Sequence, residues 1–269
     1  MDEQFLRVND KTVRYFEMGQ PHKPCIFLLH GAFGSAKVQW REVMPLFSEE
    51  YYVIAVDLPG FGGSEPISPI HADALANWLK DVLDALGLDK VILIGNLYGA
   101  LAARIFSATY PSYAMAVVLV NGGAIPSIPP VGKFLAKMPI IGNTIFKRLA
   151  KSEYNQSRLE LLFEDKTFLT EEFMYDVRQD RDGLALLMRG LAIGQSPQKR
   201  IPKAPVLLLW GEEDSIVSVQ VAKQIQGRIE HAKLSLISNT RHLPHIEASD
   251  VFYYQVKGFL KDALPSKLF

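Results

Sequence analysis

The chain has 269 residues, 48% of them hydrophobic, enough for one sizeable α/β domain without requiring a second. Its 29 Lys+Arg balance 29 Asp+Glu, so no global field recruits nucleic acid or an anionic membrane. Cys25 is the single cysteine, which excludes an intramolecular disulfide and a cysteine-based metal cluster.

The acidic, polar start Met1-Asp2-Glu3-Gln4 argues against a targeting peptide, and no apolar run approaches the roughly 18–20 residues needed to span a bilayer. A cytoplasmic protein is the expectation. Phe5 to Val8 and Thr12 to Phe16, joined around Asn9-Asp10, predict a hairpin. The runs Cys25–Leu29, Tyr52–Val56, Val91–Ile94, Ala116–Val120, Val206–Leu209 and Leu234–Ile237 lack sustained polar alternation, as strands buried on both faces of a parallel sheet do. Leu75, Trp78, Leu79, Val82, Leu83 and Leu86 follow the spacing of one helix face, with Gly87 as the stop. Further helices are expected over Leu101–Tyr110, Val219–Ile229 and Phe252–Leu260. An antiparallel pair feeding βα units predicts a mostly parallel, doubly wound sheet of about eight strands with helices on both faces.

The βα rhythm stops after Asn121-Gly122-Gly123 and resumes at Ala204-Pro205-Val206. Residues 124–203 therefore read as a helical insertion, with 1–123 and 204–269 forming the core. Placed after a central strand, the insertion covers the carboxyl ends where open sheets bind ligands. Ile125 to Lys151 mixes prolines and apolar residues with Lys133, Lys137, Lys147, Arg148 and Lys151 and holds no acid. A lid over an apolar pocket fits this pattern, with Met138 and Met174 as lining candidates. The charges suit equally a solvated helical face with snorkelling lysines.

Within Val91–Ala100 an apolar strand breaks into Gly95-Asn96-Leu97-Tyr98-Gly99 and then into helix formers. This is the setting of the nucleophile elbow, Gly-x-Ser-x-Gly, with leucine at the nucleophile position. His30-Gly31-Ala32-Phe33-Gly34 ends another strand, where a glycine-rich turn can aim amides at a developing oxyanion. Asp214, favoured over Glu212 and Glu213, can orient a histidine, and His242 follows the last strand as that histidine. Elbow, acid, histidine is the chain order such a fold uses. His30 and Asp57 read as braces, His245 as a helix-packing or supporting residue, and His22, His71 and His231 as surface residues. Ser35 and Ser64 lie off the elbow and do not replace the missing hydroxyl. Asn121, being neutral, is a poor acid.

Together with Asp57-Leu58-Pro59-Gly60-Phe61-Gly62-Gly63-Ser64 and Gly211–Asp214, these motifs resemble the α/β-hydrolase superfamily. The resemblance is greatest to its small esterases, haloperoxidase-like enzymes and meta-cleavage-product hydrolases. It implies that Asp214 and His242 take the acid and base positions, and that the amides of Ala32 and Tyr98 form the oxyanion hole with the Tyr98 ring directed away. It also implies that the insertion takes the cap position. Leu97 departs from the pattern, since leucine has no lone pair with which to attack a carbonyl.

Three readings stay open. The first is a serine-hydrolase scaffold for ester or C–C bonds of a small apolar carbonyl compound, its activity lost or much reduced by Leu97. The second is base-only catalysis by His242 and Asp214, of lyase or cofactor-free oxygenase type. The third is a non-catalytic small-ligand binder. No metal, organic cofactor or nucleic acid is implied, and the sequence points to no particular oligomeric state.

Overall fold

The computed structural model describes residues 1–68, 70–124, 128–194 and 200–265. Among them, eight strands form one sheet in the order β1-β2-β4-β3-β5-β6-β7-β8. These are β1 (Asp2–Val8), β2 (Lys11–Met18), β3 (Cys25–Leu29), β4 (Tyr52–Val56), β5 (Val91–Asn96), β6 (Ala114–Val120), β7 (Val206–Gly211) and β8 (Lys233–Ile237). β1–β2 and β2–β4 pair antiparallel and every other neighbour is parallel. The sequence placed all eight. Each is as long as expected or a few residues longer, because ladder partners rather than side chains set strand ends.

The helices are α1 (Ala36–Trp40), α2 (Met44–Ser48), α3 (Ala72–Ala85), α4 (Tyr98–Thr109), α5 (Pro130–Lys137), α6 (Pro139–Glu153), α7 (Gln156–Leu159), α8 (Glu171–Gln179), α9 (Arg181–Ile193), α10 (Val219–Gln226), α11 (Pro244–Glu247) and α12 (Ser249–Ala263). The central strands are buried along their length apart from Ala114 and Met115 at the start of β6, and their alternating side chains split into two cores. Phe27, Leu29, Leu93 and Leu119 face α3, α4 and the inserted helices; Ile26, Leu28, Ile94 and Val120 face Trp40, Phe47, Phe252 and Val256.

Between β6 and β7 the described residues are helical, with a short 3-10 turn at Lys166–Phe168 and no strand. Prolines punctuate the segment: Pro130 and Pro139 stand at the first positions of α5 and α6, where a missing N–H costs nothing. Leu159, Leu162, Phe163, Phe173, Val177 and Leu184 share one apolar core with the sheet, whereas Ala136, Phe146 and Ala192 form a small cluster of their own. Met174 packs in the shared core, the gap-filling use that is commoner for methionine than lining a lid. Ile125, the first residue of the basic stretch, lies outside the described residues.

Candidate active site

β5 delivers the chain to Leu97, which holds φ +47° and ψ −102° at the N-terminus of α4. The turn is tight enough to require both flanking glycines. A Cβ on Gly95 would lie 2.3 Å from the Gly99 carbonyl carbon, and one on Gly99 would lie 2.1 Å from the Leu29 carbonyl oxygen. Gly122 closes in from β6, where a Cβ would meet the Leu97 Cα at 2.4 Å. Leu97 N–H donates to Val120 O at 3.0 Å and Gly123 N–H to Leu97 O at 3.3 Å, which lock the turn against the end of β6.

Asp214 follows β7 and His242 follows β8, and both are buried. His242 Nδ1 and Asp214 Oδ2 are 2.8 Å apart. The same Oδ2 accepts from Asn121 Nδ2 at 2.5 Å, and Oδ1 accepts the amides of Ile216 at 2.8 Å and Val217 at 3.0 Å. Burial pushes the Asp214 carboxyl upward, but the His242 ring and these hydrogen bonds outweigh it and hold the group below the usual carboxylate range. A carboxylate on Nδ1 fixes the ring and leaves Nε2 as the reactive nitrogen. That nitrogen is buried without a hydrogen-bond partner among the described residues. Elbow and histidine loop are tied together, since Asn96 Nδ2 donates to the His242 carbonyl at 3.3 Å. Phe33 meets the His242 ring edge to face at 5.8 Å.

The turn after β3 is braced from three sides. Leu58 N–H donates to His30 Nε2 at 2.8 Å, leaving the proton on Nδ1, 2.7 Å from Gly31 O. Gln39 receives the Gly31 amide at 2.9 Å and donates to Phe33 O at 2.9 Å. Tyr154, at the end of α6, donates to Ala32 O at 2.5 Å. The Ala32 amide makes no hydrogen bond among the described residues. Tyr98 opens α4, so its amide is one of the orphan donors of a helix N-terminus. Asp57 pins the following loop by accepting from Ala36 N–H, Gly63 N–H and Arg14 Nε. Ser64 is consumed locally, its Oγ accepting the Arg14 amide at 2.9 Å.

Beyond the elbow, Tyr98 stands against the helices between β6 and β7. It lines a cavity of about 280 Å³ with Ile128, Leu135, Phe146, Leu149 and Met188 of the insertion. Burial, and then the Glu153 charge, push its phenol up to about 12, so it stays protonated. Met188, not Met138, is the methionine at this cavity. His245 packs its ring 4.4 Å from Trp40 and 5.8 Å from Phe252, and burial drives its pKa down to about 3. It is a neutral packing residue. Among the described residues no three His, Cys, Asp or Glu side chains could hold a metal ion.

The sequence pattern of the α/β-hydrolase fold matches residues 24–249. The chain belongs to that family. A curated member from Dechloromonas aromatica, 2-hydroxy-6-oxononadienedioate/2-hydroxy-6-oxononatrienedioate hydrolase 1, is 31% identical over 95% of this chain and 94% of its own. Epoxide hydrolase 4 of Mus musculus is 25% identical over 96% of this chain and 79% of its own. Among solved structures, the enol-lactonase of Burkholderia xenovorans superposes with a TM-score of 0.78 at 21% identity, covering 96% of this chain and all (100%) of the other. That likeness speaks for the fold.

Gln39 and Tyr154 belong to no sequence motif, yet both hold the turn after β3. Asn121, too neutral to be the acid itself, is the hydrogen-bond partner of the acid. Its one legible signal was its place at the end of β6, where it takes φ +44°.

Proposed function

We propose that this chain is a serine-hydrolase scaffold whose nucleophile is replaced by Leu97. It holds a small apolar carbonyl compound, and ester or C–C bond hydrolysis is lost or much reduced. One observation carries the reading: a hydrocarbon side chain occupies the strained elbow while the buried His242 keeps its Asp214 partner and an unpartnered Nε2. The relatives named above, hydrolases among them, support the substrate chemistry, and the apolar cavity beside Tyr98 supports an apolar ligand. With a serine at the elbow, Nε2 would take its proton while the Ala32 and Tyr98 amides received the oxyanion. Leucine removes the attacking atom and leaves the rest, which by itself gives only modest acceleration. The proposed setting is the cytoplasm.

The orphan Nε2 also favours a second reading. It can accept a proton from an acidic C–H or O–H of a bound ligand, with Asp214 stabilising the imidazolium and the two amides the resulting enolate.

Leu97→Ser tests the first reading. The variant should react with a fluorophosphonate probe that leaves the wild type unlabelled, and should hydrolyse a short p-nitrophenyl ester at least about a hundredfold faster. A folded variant that neither labels nor hydrolyses would remove the hydrolase reading. Turnover by the wild type that His242→Ala abolishes would establish the second.

A further inference from the structure

The outer surface of α5 and α6 is used by none of this. On α5, Val131 and Phe134 are 66% and 65% exposed; at the start of α6, Ile140 is 82% exposed and Ile141 45%. Their positions follow helical spacing, with Gly142, Phe146 and Ala150 of α6 turned inward. The same two helices carry Lys133, Lys137, Arg148 and Lys151, all exposed and without an ion pair among the described residues. Lys147 beside them reaches Asp182 at 3.4 Å. From residue 128 to 152 there is no Asp or Glu.

We infer that the α5–α6 hairpin is a docking surface for an anionic lipid bilayer. Large apolar side chains held in water at a helix tip find hydrocarbon below the headgroups, while lysines snorkel back to the phosphate level. The charged side chains of residues 128–152 are all cationic and only Lys147 is paired, with Asp182, so their charge complement is an anionic leaflet. A second copy of this chain fits worse, because a two-fold contact through the hairpin would bring the same lysines together. Nucleic acid would satisfy the charges but leave Phe134 and Ile140 in water. The balanced charge of the whole chain hides this local field.

The cavity beside Tyr98 gives the surface a use. Its wall is built largely from the same two helices, with the exposed Pro129 and Leu149 beside the more buried Leu135 and Phe146. An apolar compound dissolved in the bilayer would enter there without crossing water.

Vesicle co-sedimentation of the full chain tests the surface without needing turnover, so it succeeds or fails independently of what Leu97 does. The chain should pellet with phosphatidylglycerol–phosphatidylcholine vesicles and far less with phosphatidylcholine alone. Raising salt toward about 1 M, where the screening length falls to roughly 3 Å, should release it. Lys133→Glu/Lys137→Glu should weaken anionic-vesicle binding by roughly tenfold or more. Phe134→Ser/Ile140→Ser should abolish it, with the melting temperature of each variant within about 2 °C of wild type. No binding to anionic vesicles, equal binding to neutral ones, or variants that bind like wild type would each overturn the inference. So would a vesicle-free dimer that Phe134→Ser/Ile140→Ser converts to monomer, which would assign the face to a second copy.

Discussion

Leu97 keeps a backbone conformation that suits a residue presenting a nucleophile, although it presents none. At φ +47° a Cβ is crowded, and such positions cost of order 1–3 kcal/mol unless surrounding structure imposes them. Here the hydrogen bonds to Val120 and Gly123 and the close approach of Gly122 impose it. Comparing Leu97→Ala with Leu97→Gly isolates that cost, because both delete the isopropyl end of the side chain and differ only by Cβ. In ordinary helices and strands glycine is the less stable of the two by roughly 0.5–1 kcal/mol. At this turn the order should reverse, with Leu97→Gly the more stable by about 1 kcal/mol in urea unfolding. A more stable alanine variant would show that the turn relaxes and stores no strain. The elbow was legible because steric necessity writes itself as glycine spacing, and His242 and Asp214 because each follows a recognisable strand. The partners of Asn121 and Tyr154 were not legible. Their hydrogen bonds span 93 and 122 residues, and no local pattern announces such a partner.

At the scale of elements, the inserted helices are fastened to the core beside the histidine loop and the Asp57–Ser64 loop. Glu247 of α11 accepts the Glu164 and Asp165 amides through Oε1 and the Arg241 amide through Oε2, while His242 N–H donates to Leu162 O at 3.0 Å. At the junction of α8 and α9, Asp180 Oδ1 accepts the Gly62 amide at 2.7 Å. The two backbones touch there; a Cβ on Gly183 would lie 2.2 Å from Gly60 O. Burial, opposed by the Gly62 hydrogen bond and reinforced by Asp57, raises the Asp180 carboxyl to about 6. A raised acid binds its proton in the folded state between about pH 4 and 6 while the unfolded chain has released it. The contribution of Asp180 to stability therefore falls as pH rises through that window, and the full cost stands above pH 6. Asparagine keeps the acceptor and removes the charge. Asp180→Asn should exceed wild type by up to about 3 kcal/mol at pH 8, with the difference shrinking toward zero near pH 4. Urea unfolding of both proteins across that range decides it, and a pH-independent difference would refute the assignment. In the sequence the segment between β6 and β7 shows only as a missing strand rhythm, and the described residues there hold helices and no strand. Its fastening does not show, because one aspartate among several in a polar stretch carries no mark of burial.

For the whole molecule, the decisive feature is how the apolar cores are shared. The helices α7, α8 and α9 contribute Leu159, Phe173, Val177 and Leu184 to the core that also holds Phe27 and Leu93 of the sheet. By contrast, α5 and α6 rest mainly on a satellite cluster around Ala136, Phe146 and Ala192, with Ala150 and Tyr154 as their links to the shared core. Stability should divide along that line and not at the chain positions where the insertion begins and ends. Native-state hydrogen exchange can resolve the two tiers. Amides of α8 and α9 should exchange with the same free energy as those of β3 and β5, that of global unfolding. Amides of α5 and α6 should exchange first, through a local opening that leaves the sheet intact. If α8 and α9 instead exchanged together with α5 and α6, the insertion would be a separate folding unit and its shared core with the sheet energetically minor. The lower tier is also the hairpin assigned to the bilayer, so anionic vesicles should slow exchange in α5 and α6 while leaving β3 and β5 unchanged.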